Sequence, residues 1–336
     1  MYKIIQKRNI FLFLSGLLVV ASIVALFLWG FNYGIDFTGG SLMEVSFKSN
    51  RPAVNDVRQT VGSLELGSLV LQPVGDSGLI LRFQDTSEEK HQAVLKKLRE
   101  LAGDKTEPDN EEKTETEEGV DVAVGDKGTL ISESKSSSPA DSAVEELRYD
   151  AIGPTIGQEL KNKSITAIVM VLIMIILYIA WAFRQVSKPV ASWKYGLAAN
   201  IAVFHDVIIT MGVFAVLGRF YGVEINTPFV AAILTVLGYS VNDTIVVFDR
   251  IRENLPKSEE DFESTVNTSI NQTITRSINT SFTTLLALSA ILVFGGSSIR
   301  DFALALFIGI FVGTYSSIFV ASPLLVIWEK MTTRNS

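Results

Sequence analysis

Six stretches of this chain are each long and apolar enough to cross a membrane as a helix. They are Ile10–Trp29, Ile165–Phe183, Tyr195–Leu217, Thr227–Phe248, Ser277–Phe294 and Phe302–Trp328. About 20 apolar residues in a helix match the hydrocarbon thickness of a bilayer. In lipid, a helix satisfies its own backbone N–H and C=O groups, so the choice of secondary structure is nearly forced. The composition agrees: 48% of the 336 residues are hydrophobic, more than a soluble chain of this length needs. The first run follows Lys3, Lys7 and Arg8, as a signal peptide would. It is longer than a signal core and no small-residue cleavage pattern clearly follows it, so it reads as a retained anchor.

The basic residues orient the spans. Lys3/Lys7/Arg8, Arg184/Lys188/Lys194, Arg250/Arg252/Lys257 and Lys330/Arg334 fall on one side of six alternating spans, and the opposite short loops hold Arg219 and Arg300. The positive-inside bias then puts both termini in the cytoplasm and residues 32–160 outside. The expected organisation is a cytoplasmic N-terminus with the first span (1–31), an outer domain (32–160), five further spans (161–330) and a short cytoplasmic tail (331–336).

The net charge of −7 is concentrated in residues 104–141, which hold twelve acidic residues and four lysines. That stretch is rich in Ser and poor in large apolar side chains, so it is expected to be a disordered, solvated loop. The rest of the chain is near neutral, which argues against a nucleic-acid partner. With no cysteine and two histidines, His91 and His205, thiolate metal sites, disulfides and multi-histidine metal sites have no material. No nucleophile–base set, phosphate loop or metal motif stands out, so no catalytic activity and no cofactor are expected.

The remainder of the outer segment reads as a small α+β domain. "SLMEVSF", "LVLQPVG", "GLILRFQD" and "AVEELRYDAIG" have strand character, while "AVNDVRQTVGSL" and "TSEEKHQAVLKKLRELAG" have helical character. The order βαββαβ predicts a ferredoxin-like sandwich. Thr86 is the expected N-cap of the second helix, Glu89 would complete a capping box, and Gly103 ends it. His91 shares a face with Val94, Leu95 and Leu98, which predicts a half-buried packing residue. "IGPTIGQEL" leads into the second span, with either Pro154 in the first turn or a Thr155/Gln158 capping box.

Ionisable groups inside spans are costly and usually face a bundle interior or a water-filled path. The candidates are Asp206 beside His205, Asp243 beside Asn242, and Arg276. Asp243 precedes the boundary residue Asp249 by six positions, about 9 Å at the helical rise. If the fifth span enters near Ile270, Arg276 lies at about the same depth. The two could meet, as a proton path or as a static ion pair. Arg276, Thr280, Thr283 and Thr284 share one helix face, where hydroxyls could bond water or neighbouring helices. His205 and Asp206 are read either as part of a transport path or as a structural network. In the sixth span Ala305, Gly309, Gly313, Ser317 and Ala321 recur every four residues, a small-residue stripe for close helix packing.

"GIDFTGG" (34–40), "IGPTIGQEL" (152–160), "HDVIITMG", "GYSVNDTIVVFDRIREN", "NQTITRSINTS" and "FALALFIGIFVGTYSSIFVASP" together resemble the SecD/SecF family of protein-export membrane proteins, within the resistance-nodulation-division superfamily. The resemblance covers nearly the whole chain and implies six spans with one large outer domain. It also implies a bacterial inner-membrane subunit that uses the proton gradient, with SecD, the SecYEG channel and accessory subunits such as YajC, to move an exported polypeptide. In that family the Asp of the "ND" pair and the Arg of the fifth span are tied to proton movement, which map onto Asp243 and Arg276, with Asn242 and Thr280 beside them. The acidic stretch 104–141 departs from the compact outer domain of the family. In "GIDFTGG", Gly34, Gly39 and Gly40 suit a tight turn and Asp36 could bond local N–H groups. Two other readings of the charges stay open: a half-sized proton-driven exporter of small or lipidic molecules, and a membrane scaffold or sensor.

Overall fold

The computed structural model describes residues 2–103, 142–182 and 192–334. The acidic stretch 104–141 and the basic residues Arg184 and Lys188 lie outside the described residues. The chain divides into a helical unit, Met1–Gly34 with Leu160–Ser336, and a second unit, Ile35–Glu159.

Along the chain, α1 is Arg8–Trp29, α2 Ile35–Thr38, β1 Gly40–Phe47, α3 Val54–Gly62, β2 Leu69–Val74 and β3 Gly78–Phe83. Then follow α4 Glu88–Leu101, β4 Val144–Ile152, α5 Pro154–Ala182, α6 Ser192–Tyr221, α7 Thr227–Asn254 and α8 Phe262–Phe294. The chain closes with α9 Ser297–Ser316, a π-helical segment Ser317–Ala321, and α10 Ser322–Arg334.

Six helical stretches are long and apolar enough to span a membrane. All six run further at one end or both than the apolar runs imply, and α5 starts at Pro154 rather than Ile165. α7 continues into its charged end, and the sixth stretch, interrupted by the π segment, runs from Ser297 to Arg334. The fifth starts at Phe262, not Ser277. Its first half, "FESTVNTSINQTIT", is polar enough to lower the hydropathy. It is helical nonetheless because Thr265, Asn267, Ser269 and Thr273 turn inward and are buried. Asn267 Oδ1 accepts from the N–H groups of Ile4 and Ile5 at 3.0 and 3.3 Å. Glu263 in the same first turn pairs with Arg8 at 2.9 Å and with Lys330. Both ends of the chain are thereby tied to one end of the bundle.

α7 begins at an Asn226 N-cap, whose Oδ1 accepts from Phe229 N at 3.1 Å, with Pro228 in the first turn. The π segment has a local cause. Pro323 has no N–H to give and its ring clashes with the carbonyl four residues back, so a widened turn just before it is a low-cost relief. Ser322 Oγ donates to Ser317 O at 3.1 Å across it. Among the described residues, α6, α7 and α9 pack mutually, with α1 against α6 and α8 against α7 and α9. The small-residue stripe sits at this centre: Gly309 lies directly against the side chain of Val236. A Cβ at Gly313 would come within 3.2 Å of Ser240 Cβ and 3.4 Å of Asp206 Oδ2.

The second unit is an antiparallel sheet of order β2-β3-β1-β4 with α3 and α4, the ferredoxin-like order. Its core joins Met43, Val45, Phe47, Leu81 and Phe83 of the sheet to Val57, Val61, Val94, Leu95 and Leu98 of the helices. α4 starts one residue later than expected. Ser87, not Thr86, is the N-cap and makes no side-chain cap bond. Asp85 Oδ1 instead takes both Ser87 N (2.8 Å) and Ser87 Oγ (2.6 Å) in a local turn. Gly103 follows the helix with φ +86°, the left-handed conformation that ends helices.

"GIDFTGG" and "IGPTIGQEL" meet. Gly39 (φ +74°) would drive a Cβ to 2.7 Å from Pro154 Cα, and Gly40 (φ +120°) to 2.7 Å from Phe83 O. Both positions therefore require glycine on conformation and on space. Asp36 lies in the first turn of α2, where a carboxylate suits the helix dipole. Gly34 is in the helical unit, its N–H donating to Ile225 O at 2.8 Å.

Candidate functional site

Two carboxylates are buried in the helical unit, Asp206 on α6 and Asp243 on α7. Asp206 is fully enclosed. Its Oδ1 faces His205 Nδ1 at 2.9 Å, and its Oδ2 accepts from Ser240 Oγ at 2.5 Å and Ser316 Oγ at 2.8 Å. One acid thus gathers donors from α6, α7 and α9. His205 Nε2 is buried and makes no hydrogen bond among the described residues.

Asp243 is served differently. Its Oδ1 accepts from Ser277 Oγ of α8 at 2.6 Å. Its Oδ2 is buried and has no hydrogen bond among the described residues. A cavity of about 70 Å³ adjoins it, lined by Tyr239, Asn242, Asp243, Val246, Arg276, Ser277 and Thr280. A polar cavity of that size has room for water.

Depth matching brings Arg276 to the right level, and the structure puts it on the wall of the Asp243 cavity. The hydrogen bond, however, comes from its neighbour Ser277, and no Asp243–Arg276 ion pair is formed. The two residues are only about 1.5 Å apart in depth but about 100° apart around the helix. Ser277 is the one that faces α7, and Arg276 is exposed. Thr280, Thr283 and Thr284 also differ from expectation, donating to backbone carbonyls of their own helix at 2.9, 2.9 and 3.1 Å.

Sequence reasoning missed the hydroxyls. Ser317 counted only as a small residue, yet it bonds Thr244 at 3.0 Å, while the adjacent Ser316 bonds Asp206. Ser240 and Thr244 flank Asp243 on α7, so the two acids' networks are built on neighbouring residues of the same two elements. Ser281 adds a third contact, accepting from Thr314 Oγ1 at 2.5 Å and from Tyr239 OH at 3.3 Å. The serines that bond the acids lie 34 or 110 positions away, so spacing from the acids gave no signal.

Comparison with known proteins places this site in a family. A family model described as "Protein export membrane protein SecD/SecF, C-terminal" matches residues 132–331, and one for the "SecD/SecF GG Motif" matches residues 24–50. The chain is 40% identical to "Protein translocase subunit SecF" of Thermobaculum terrenum, over 98% of this chain and 95% of that one. It is 47% identical over 190 residues to "Protein translocase subunit SecDF" of Thermus thermophilus, covering 55% of this chain and 24% of that one. The crystal structure of the Thermus SecDF, "a translocon-associated membrane protein", superposes with a TM-score of 0.75 at 32% identity, over 98% of this chain and 39% of that chain. On these matches, the chain belongs to the SecD/SecF family of protein-export membrane proteins.

Proposed function

We propose that the chain is the SecF-type subunit of the Sec protein translocase, and that it uses the proton gradient through the Asp243 cavity. The single observation that carries the proton reading is Asp243 itself: a buried carboxyl held by Ser277 with Ser317 close by, one oxygen without a hydrogen bond among the described residues, and a cavity it shares with Arg276. Such a group can gain or lose a proton with a side-chain rearrangement, where a fully bonded one would have to break its network. In this reading His205 and Asp206 form the structural network beside that cavity, built on the neighbouring α7 and α9 hydroxyls. The chain performs no covalent chemistry and needs no cofactor beyond the gradient.

A SecD partner is supported by the relatives named SecDF, of which this chain matches one part. The exposed face of α8 supports it physically. Gln272, Thr275, Arg276, Asn279, Thr280 and Thr283 are exposed along it, and hydrocarbon is a poor solvent for that face. A protein surface with polar groups of its own is the better cover. The SecYEG channel, YajC and the translocating polypeptide complete the assembly. Both chain ends lie at one end of the bundle, and the basic loops support a cytoplasmic side for that end, in a bacterial inner membrane on this reading.

The test is co-purification with SecD and SecYEG, then reconstitution into vesicles under an imposed proton gradient. Asp243→Asn should leave the complex assembled and reduce gradient-stimulated translocation to the gradient-free rate. Undiminished stimulation would overturn the proton reading. Failure to associate with SecD and SecYEG would favour the exporter of small or lipidic molecules.

A further inference from the structure

His91 packs where its spacing implies, more deeply than half-buried, and it does more than pack. It sits on the apolar face of α4 with Val94, Leu95 and Leu98, and is 2% exposed. A ring buried there must find partners for two nitrogens. The edge strand β4 supplies them through a bulge. Val45 pairs with Glu146, but Glu44 pairs with Arg148, so Leu147 is an extra residue. Met43 and Val45 point into the core, and directly opposed residues of an antiparallel pair share a face. Glu146 (opposite Val45) and Tyr149 (opposite Met43) therefore both face α4. Without the extra residue, a three-residue separation would put them on opposite faces.

The result is a closed cluster. His91 Nδ1 lies 2.9 Å from Glu88 Oε1, and Nε2 lies 2.9 Å from Glu146 Oε1. The imidazole stacks on Tyr149 at 3.7 Å between centroids and 7° between planes. Tyr149 OH lies 3.2 Å from Ser41 Oγ, which donates to Asp85 O at 2.7 Å. We propose that His91 is a doubly protonated imidazolium that clamps α4 to the edge strand β4 and makes the packing of this domain depend on the pH it is exposed to.

The chemistry of the partners carries this. An ionised carboxylate only accepts hydrogen bonds, and a neutral imidazole has only one N–H to give. Both nitrogen–carboxylate contacts are hydrogen bonds only when both nitrogens carry hydrogen; Glu88 Oε1 also accepts from Gln92 Nε2 at 2.7 Å. The titratable groups facing the ring are Glu88 on its own helix, Glu146 and Tyr149 on β4, and Asp85 near Tyr149 in the turn before α4. The neighbouring cations point elsewhere. Lys90 Nζ donates to Leu64 O at 2.6 Å, and Arg148 pairs with Asp150 at 2.5 Å.

Burial works against the charged ring, yet Glu146 and Glu88 outweigh it and hold the His91 pKa above the ordinary histidine value. A raised folded-state pKa means stabilisation that is complete below the unfolded pKa and lost as pH rises through the folded one. Glu88 behaves oppositely. The Gln92 amide, against an opposing effect of burial and with help from His91, holds its pKa below the ordinary value, so its contribution fades as pH falls through that lower value. The clamp is intact between these limits and opens on alkalinisation. β4 is separated from α5 by Gly153 alone.

With His91 and His205 as its two histidines, the chain suits histidine-selective ¹⁵N labelling. The full-length protein in lipid nanodiscs should give two sets of ring signals, assigned with His91→Gln or, should that variant not fold, His205→Asn. The expected result is an imidazolium at His91 that persists above the ordinary histidine midpoint. Hydrogen exchange in α4 and β4, corrected for intrinsic rates, should then accelerate as pH rises through that midpoint. The acceleration is about tenfold for each unit by which the midpoint exceeds the ordinary value. Glu146→Gln should move the midpoint down. A neutral His91 ring at pH 6 with the proton on Glu146, or exchange in α4 and β4 with no step at the His91 midpoint, would overturn the proposal. So would an unchanged midpoint in Glu146→Gln.

Discussion

Asp206 and Asp243 are the same side chain, buried in the same bundle, and they are served in opposite ways. Asp206 is 0% exposed and receives Ser240, Ser316 and the His205 ring. Asp243 is 8% exposed, accepts from Ser277 with Ser317 as a further hydroxyl neighbour, and keeps its other oxygen without a hydrogen bond among the described residues, beside a cavity. Removing one partner from a satisfied buried network orphans all the rest, whereas a sparsely bonded group can change state at little structural expense. The contrast separates an acid that fixes three helices together from one that is free to act.

The comparison breaks most sharply at Asp206. Asp206→Ala should cost about 3 kcal/mol, because two hydroxyls and an imidazole lose their acceptor in a dry interior. Denaturant or thermal unfolding in detergent measures it, and wild-type stability in that variant would erase the distinction. Gly309→Val comes next, at about 2 kcal/mol of overpacking against Val236. Val236→Ala in the same chain should recover part of that loss, because the two positions touch. Ser277→Ala removes the 2.6 Å hydrogen bond to Asp243 and should cost about 1 kcal/mol, with a changed response to the proton gradient as a second readout. The smallest stability effect belongs to Asp243→Asn, under about 0.5 kcal/mol, since the isosteric amide still accepts from Ser277. That variant should nonetheless lose gradient-driven activity. A stability loss at Asp243 as large as that at Asp206 would show that both acids are structural.

The two histidines repeat the lesson. His205 has one nitrogen against Asp206 and the other unbonded, whereas His91 has both nitrogens on carboxylates. Spacing along a helix marked His91 as core, and it is in the core. What spacing could not convey is that the facing strand, through the bulge at Leu147, brings a carboxylate and an aromatic ring to it. The same limit applies at Asp243. Helical rise gave the correct level for a partner on α8, but which of Arg276 and Ser277 turns toward Asp243 depends on how α8 is rotated against α7. The polar first half of α8 escaped hydropathy because its inward Thr, Asn and Ser count as polar wherever they point.

The amino-acid sequence by itself determined the number of spans, the βαββαβ order, the positions of the buried acids and the small-residue stripe at the bundle centre. All of these follow from periodicity and from the expense of polar groups in hydrocarbon, which act locally along the chain. Only the tertiary structure decided which donors meet which acid, where the π turn before Pro323 and the bulge in β4 fall, and that His91 bridges two carboxylates. Hydrogen bonds of that kind join residues far apart along the chain, such as Asp206 and Ser316 at a separation of 110 positions. Their geometry depends on helix rotation and strand register, which are set by the packing of whole elements rather than by any one segment.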